Sequence, residues 1–127
     1  MFESNNDNRL MGADESAQPL TLAARHAVSC AVICTSCADA GVAEVMDLPK
    51  DMRDGPDIAD ICEAMAWIAT RPDGSSETVL RGMLEACAAA CDRREAFCVR
   101  YDHRHCRESA QISRDCASAC RAALSTL

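Results

Sequence analysis

Ten cysteines in 127 residues are the chemically consequential feature of this sequence. Cys30, Cys34 and Cys37 are spaced by four and three residues, Cys87, Cys91 and Cys98 by four and seven, and Cys116 and Cys120 by four. These spacings place side chains on one face of a helix. Towards the C-terminus, Cys106, Ser109, Ser113, Cys116 and Cys120 step 3-4-3-4, the seam of a bundle core, with serines where cysteines would complete it. The thiols are expected to face inward.

Geometry separates the chemistries open to inward thiols. Helical i, i+4 pairs have Cβ atoms about 5 to 6 Å apart, whereas a disulfide requires about 3.5 to 4.5 Å. Disulfides within these helices would be strained. A metal held by two sulfurs at about 2.3 Å each, with zinc as the guide, spans up to about 4.6 Å and suits the same pairs. Thiolate-rich sites favour Cu(I), zinc or iron–sulfur clusters, and the excess of thiols over one tetrahedral site favours a polynuclear species.

Helices must position these groups. Pro19, the Pro49 to Pro56 stretch and Pro72-Asp73-Gly74 divide an Ala-rich chain without β-branched alternation, which predicts helices at about 19–46, 56–70, 75–101 and 104–125. Pro56 fits the first position of the second, and Ser75 or Ser76 with Asp73 offers a cap for the third. The division near Tyr101 to His103 has no strong breaker, leaving open a bend instead of a break. Short connections make the fold all-α, an antiparallel up-down-up-down four-helix bundle with inward-facing cysteines over 19–127. Residues 1–18 read as a disordered acidic tail. Leu, Ile, Val and Phe together number only 21, against 23 Ala. Alanine favours helix but fills little core, so aliphatic packing alone does not account for the domain.

Counted from the turns near position 50 and near 102–103, Cys34, Cys37, Cys62, Cys87, Cys91 and Cys116 lie about 12 to 16 residues deep, within roughly 7 Å axially. Cys30 and Cys120 fall just below. Cys98 and Cys106 stand near the last turn beside His103 and His105, as a separate site at one end. Other candidates have plainer readings. His26, one turn before Cys30, reads as a surface or hydrogen-bonded residue, and solvent exposure is the default for His103 and His105. Met65 and Met83 read as core fillers. Arg94 falls where a further thiol could stand, at the seam edge or paired with an acid.

Charge narrows the partners. Thirteen basic against 20 acidic side chains give a net charge of −7, with no basic run able to track a phosphate backbone, which argues against nucleic acid. The longest uncharged stretch, Ala27 to Ala38, is shorter than the roughly 17 to 25 residues of a membrane span. The first residues carry Glu3, Asp7, Asp14 and Glu15 without an apolar export signal. A cytoplasmic protein is expected, and in a reducing cytosol ten cysteines point to metal or redox chemistry.

From Ile58 to Leu124 the chain resembles the cysteine-rich four-helix-bundle copper storage proteins. The strongest segment is His103-Arg104-His105-Cys106-Arg107-Glu108, continuing through Arg114-Asp115-Cys116-Ala117 to Cys120-Arg121. Cys30, Cys34 and Cys37 match the first-helix motif more loosely, and the likeness covers roughly 100 of the 127 residues. The resemblance implies that Cys30, Cys34, Cys37, Cys62, Cys87, Cys91, Cys98, Cys106, Cys116 and Cys120 bind Cu(I) for storage, buffering or sequestration. It also implies that His103 and His105 mark the end where metal is admitted, and that the chain can form a homo-oligomer. Gly41, Ile58, Met65, Arg94, Ser109 and Ser113 stand where the pattern would place cysteine, which implies a smaller, more defined cluster.

The alternative is an electron-transfer protein with one [4Fe–4S] cluster on Cys62, Cys87, Cys91 and either Cys34 or Cys37. A structural zinc module is a third reading. No Ser-His-Asp, paired-carboxylate or phosphate-loop arrangement supports an enzyme. Cys98 with His103 or His105 is the one nucleophile and base pairing in view.

Overall fold

The computed structural model describes residues 18–43, 54–71 and 74–127. The expected acidic tail lies outside the described residues except for Gln18, which opens the first helix. The helices are α1 (Gln18–Ala43), α2 (Gly55–Ala69), α3 (Glu77–Cys98) and α4 (Arg104–Leu124), with no strand among the described residues. Residues 44–46, expected to finish the first helix, are outside the described residues.

The ends follow from local chemistry. Asp54 is the N-cap residue of α2, without a side-chain capping bond, and Pro56 sits in the first turn, where the absent N–H would have had no helical partner anyway. Ser76 is the N-cap of α3 but makes no side-chain capping bond. Its neighbour Ser75 instead donates its hydroxyl to the Ile68 carbonyl at 3.0 Å, fastening the turn to the end of α2. Gly74 there adopts φ 77°, left-handed backbone that a side chain would strain. α3 stops at Cys98, short of the expected 101, and the chain breaks fully before α4. Arg100 and Tyr101 donate back to the Phe97 and Cys98 carbonyls at 3.2 Å each, a tightened final turn. The Tyr101 ring stacks on Phe97 at 5.4 Å, and extended His103 then starts α4.

α1 lies against α2 and α4, and α3 completes the ring against the same two helices. Cys37, Cys34 and Cys30 on α1 meet His105, Ser109 and Ser113 on α4 in turn, so the two run antiparallel. Cys62 with Cys87 and Cys91, and Cys87 with Cys116, fix the remaining pairs. Arg114 with Glu95 and Arg121 with Asp92 bridge α3 and α4 on the outside, each pair worth about 0 to 1 kcal/mol. The segment Gln18–Cys37 is long and apolar enough to cross a membrane, with mean hydropathy 1.4. In the bundle its buried face is made of Ala and Cys, while Leu22, Val28 and Val32 on the same segment are exposed.

All ten cysteines are buried, and the core divides along the bundle axis. At the end away from the α3–α4 turn, Ala23, Ala27, Met65, Leu80, Leu84 and Ala123 form a thiol-free closure. Leu84 is fully buried there. Leu84→Ala is therefore expected to cost about 3 kcal/mol and to lower the metal-free melting temperature by about 10 °C. An anaerobic thermal melt checks this; a change of a degree or two would mean that these aliphatics do not hold the metal-free chain together.

Candidate metal centre

The thiols form two sets. Cys30, Cys62, Cys91 and Cys116, from four different helices, have sulfurs all within 4.8 Å of one another, and Cys87, Cys116 and Cys120 form a second such group. Cys116 belongs to both. Close Sγ–Sγ approaches link them: Cys30–Cys34 at 3.7 Å, Cys30–Cys91 at 3.8 Å, Cys62–Cys91 at 3.9 Å, Cys62–Cys87 at 3.7 Å and Cys87–Cys116 at 3.8 Å. One ion bound to two such sulfurs at about 2.3 Å each would subtend roughly 110°, and linear coordination would need them to part to about 4.6 Å. Modest rotamer changes separate those two arrangements.

The second set is at the α3–α4 end. His105 Nδ1 lies 3.3 Å from Cys37 Sγ and 3.5 Å from Cys106 Sγ, and these three ligands fall within 4.8 Å of one another. Cys98 and Phe97 are buried against them. The His103 ring stacks on His105 at 5.4 Å. His103 is exposed, as its default reading had it, but His105 is half-buried and turned towards sulfur. The exposed imidazole thus leads to a partly buried one, which leads to thiols.

Counting residues from the turns gives the right general depth but misorders α1. Cys30, expected just below the common level, is in the central four-sulfur group, and Cys37, expected at that level, belongs to the end set with His105. The count measured α1 from a turn near position 50, whereas α1 is last described at Ala43 and α2 opens at Gly55. Its register against α4 pairs Cys34 with Ser109. The four-thiol set that converges also differs from the one expected for an iron–sulfur cluster, with Cys30 in place of Cys34 or Cys37 and Cys116 in place of Cys87. His26 is half-buried in a groove of α1 and α4 with Asp115 and Ser118. Met65 is core and Met83 only half-buried.

Crowded thiols share protons unequally. Cys30 is pushed well down by S–H bonds from Cys116 first, then Cys34, Cys62 and Cys91. Cys87 is lowered in the same way, by Cys116, Cys120, Cys62 and Cys91. The donors move the other way: Cys34 is raised by its bond to Cys30 and by burial, and Cys116 by its bonds to Cys120 and Cys30. At the other end Cys37 is pulled down to about 7 by Cys98, against burial and helped by the Arg94 charge. The thiols therefore differ in how readily each gives up its proton to a metal.

Of the two places that the sequence offered Arg94, the seam edge or a pairing with an acid, the structure shows the second. The side chain is 1% exposed, inside the seam and not at its edge. Its Nε donates to Ser109 Oγ at 3.4 Å and its Nη1 lies 3.6 Å from Asp54 Oδ1. Burial opposes its charge, but Cys98, Cys37, Cys34 and Asp54 favour it and the guanidinium stays protonated. The signal for its inward position was in the 4-3-4 steps of Cys87, Cys91, Arg94 and Cys98. Nothing in the sequence pointed to Asp54.

The family model for the copper storage protein matches residues 16–125. This chain belongs to the copper storage protein family. Copper storage proteins of known structure agree with the assignment. Ccsp from Streptomyces lividans loaded with 10 copper equivalents is 37% identical, with 93% of this chain and 91% of that one covered and a TM-score of 0.81. The cytosolic copper storage protein of the same organism with five coppers is 35% identical, with 88% and 97% covered and a TM-score of 0.82. A Ccsp variant with two histidines replaced by alanine is 35% identical over 87% of this chain and 96% of that one, with a TM-score of 0.78. No curated protein matches the chain. Membership of a copper storage family does not favour the iron–sulfur alternative, and the all-α four-helix bundle is the fold that these relatives share.

Proposed function

We propose that the protein takes up and stores Cu(I) in the cytosol, holding it on Cys30, Cys34, Cys62, Cys87, Cys91, Cys116 and Cys120. Cys37, Cys98, Cys106, His103 and His105 receive it at the α3–α4 end. The observation that carries this reading is the convergence of buried sulfurs from four helices to within 4.8 Å of one another. Thiolates are the soft donors that Cu(I) prefers, and their number exceeds what one zinc ion uses. The role is storage and not catalysis, and it needs neither a nucleic-acid nor a membrane partner. Val28 and Trp67 are exposed together in a groove between α1 and α2, apolar surface of the kind used in self-association, and a homo-oligomer is part of the reading. Sedimentation at micromolar concentration tests that part, and a monomer mass would remove it.

Anaerobic Cu(I) titration against a chromophoric chelator tests the function. Several tightly held equivalents are expected; no tight uptake beyond one would sink storage. The pH dependence has a definite sign. Copper binds thiolate, and thiols held high, such as Cys34 and Cys116, must each lose a proton to bind. Those held lower, such as Cys30 and Cys87, give theirs up more readily. With one to two protons displaced per ion, apparent affinity should rise between about tenfold and a hundredfold per pH unit. Competition at two pH values a unit apart reads this directly, and a flat profile would contradict thiolate ligation.

A further inference from the structure

The two thiol sets do not run into one another. Buried side chains from Ala23 to Cys34 on α1, from Leu80 to Cys91 on α3 and from Cys116 to Ala123 on α4 form one core, and Cys37, Phe97, Cys98, Cys106 and Ala110 form another. The boundary falls between Cys34 and Cys37 on α1 and between Cys91 and Cys98 on α3. Arg94 occupies that level, bonded to Ser109, which itself lies 3.6 Å from Cys34 Sγ. Its carboxylate partner, Asp54, is the N-cap residue of α2, so α2 begins at this height and, among the described residues, the end set is built by α1, α3 and α4. A guanidinium is always protonated and cannot ligate copper. On the seam it stands where the steps of α3 would put a sulfur.

We propose that Arg94 acts as a permanent cation in place of a copper ion, dividing the interior into a deep set and an end set that load as separate units. This inference rests on Cu(I) being the cargo. Thiolates outnumber the positive charge that copper supplies wherever one Cu(I) is shared by two of them, and the surplus negative charge is costly in a buried site. The guanidinium offsets that surplus for Cys34, Cys37 and Cys98, whose charges it faces. It also removes the bridging sulfur that would join Cys34 to Cys37. Two smaller clusters result, where a continuous thiol lining would give one extended store.

Three variants separate charge, space and ligand: Arg94→Lys keeps the charge, Arg94→Leu removes it without adding a sulfur donor, and Arg94→Cys completes the seam. Each is titrated anaerobically with Cu(I) against a chelator, with native mass spectrometry counting the bound ions and metal-free melts reporting the fold. The unaltered chain and Arg94→Lys are expected to fill in two resolved steps. Arg94→Leu should keep two steps but hold the end-set copper at least about tenfold more weakly, since a nearby unit charge has been lost. Arg94→Cys should bind at least one more ion and fill as one continuous series. A single continuous series in the unaltered chain would overturn the partition while leaving storage intact, and so would an Arg94→Cys chain indistinguishable from it. Arg94→Leu behaving as Arg94→Lys would overturn the charge role. Absence of tight uptake by the unaltered chain would sink storage and the partition together. Should Arg94→Cys not fold, the Lys and Leu variants still decide the matter.

Discussion

Cys116→Ser is expected to remove more copper than any other single thiol replacement. Cys116 is the one residue shared by the Cys30, Cys62, Cys91 group and the Cys87, Cys120 group, so its loss takes a sulfur from both. A hydroxyl is a hard, weakly acidic donor that cannot replace thiolate for Cu(I). Serine preserves the volume, and the bundle already accommodates fully buried Ser109 and Ser113 on the same helix face. The fold should therefore survive and the loss should be one of ligation. Cys116→Ser is expected to cost at least about two tightly held equivalents, whereas Cys120→Ser, a member of one group only, should cost about one or fewer. Native mass spectrometry after anaerobic loading counts them. Equal losses in the two variants would show that the deep thiols do not share Cys116 in this way.

Much of this was legible in the sequence because helical periodicity is a local property. The i, i+3 and i, i+4 steps of Cys30, Cys34, Cys37, Cys87, Cys91, Cys116 and Cys120 were enough to turn those side chains inward, and the structure buries all of them. The end set was also visible, since Cys98, Cys106 and His105 are close to one turn. What local spacing could not supply was the register between helices. That depends on where helices end, and α1 and α2 are joined by a segment whose length is a poor guide to axial offset. Cys30 and Cys37 were misplaced for this reason, by about one turn each. Arg94 illustrates a different limit. Its position on the seam was readable, but whether an arginine there snorkels outward or stays inside depends on a partner from another helix. Asp54, at the start of α2, is that partner.

The shortage of aliphatic residues and the burial of the thiols are one design with a cost in the metal-free state. Ala contributes little core volume, and a free thiol is a small hydrophobe. Only the end lined by Leu80, Leu84 and Met65 is packed as an ordinary core. Elsewhere the interior is rich in sulfurs, those of the deep set 3.7 to 3.9 Å apart and joined to one another only by weak S–H bonds. In the loaded protein, metal–thiolate bonds would replace those contacts and tie four helices together. Binding to the folded state alone adds RT ln(1 + [L]/Kd), about 4 kcal/mol per site at a free concentration a thousandfold above Kd. Two sets of sites would add about 8 kcal/mol, and for a domain of this size that raises the melting temperature by about 30 °C. Anaerobic thermal melts of metal-free and Cu(I)-loaded protein test this directly. Cys116→Ser, which touches only the deep set, should forfeit up to about half of the gain while leaving the metal-free melt within a few degrees of the unaltered chain. A loaded protein melting within a few degrees of the metal-free one would mean that copper does not cross-link the bundle, and that the thiols hold it at the surface or not at all.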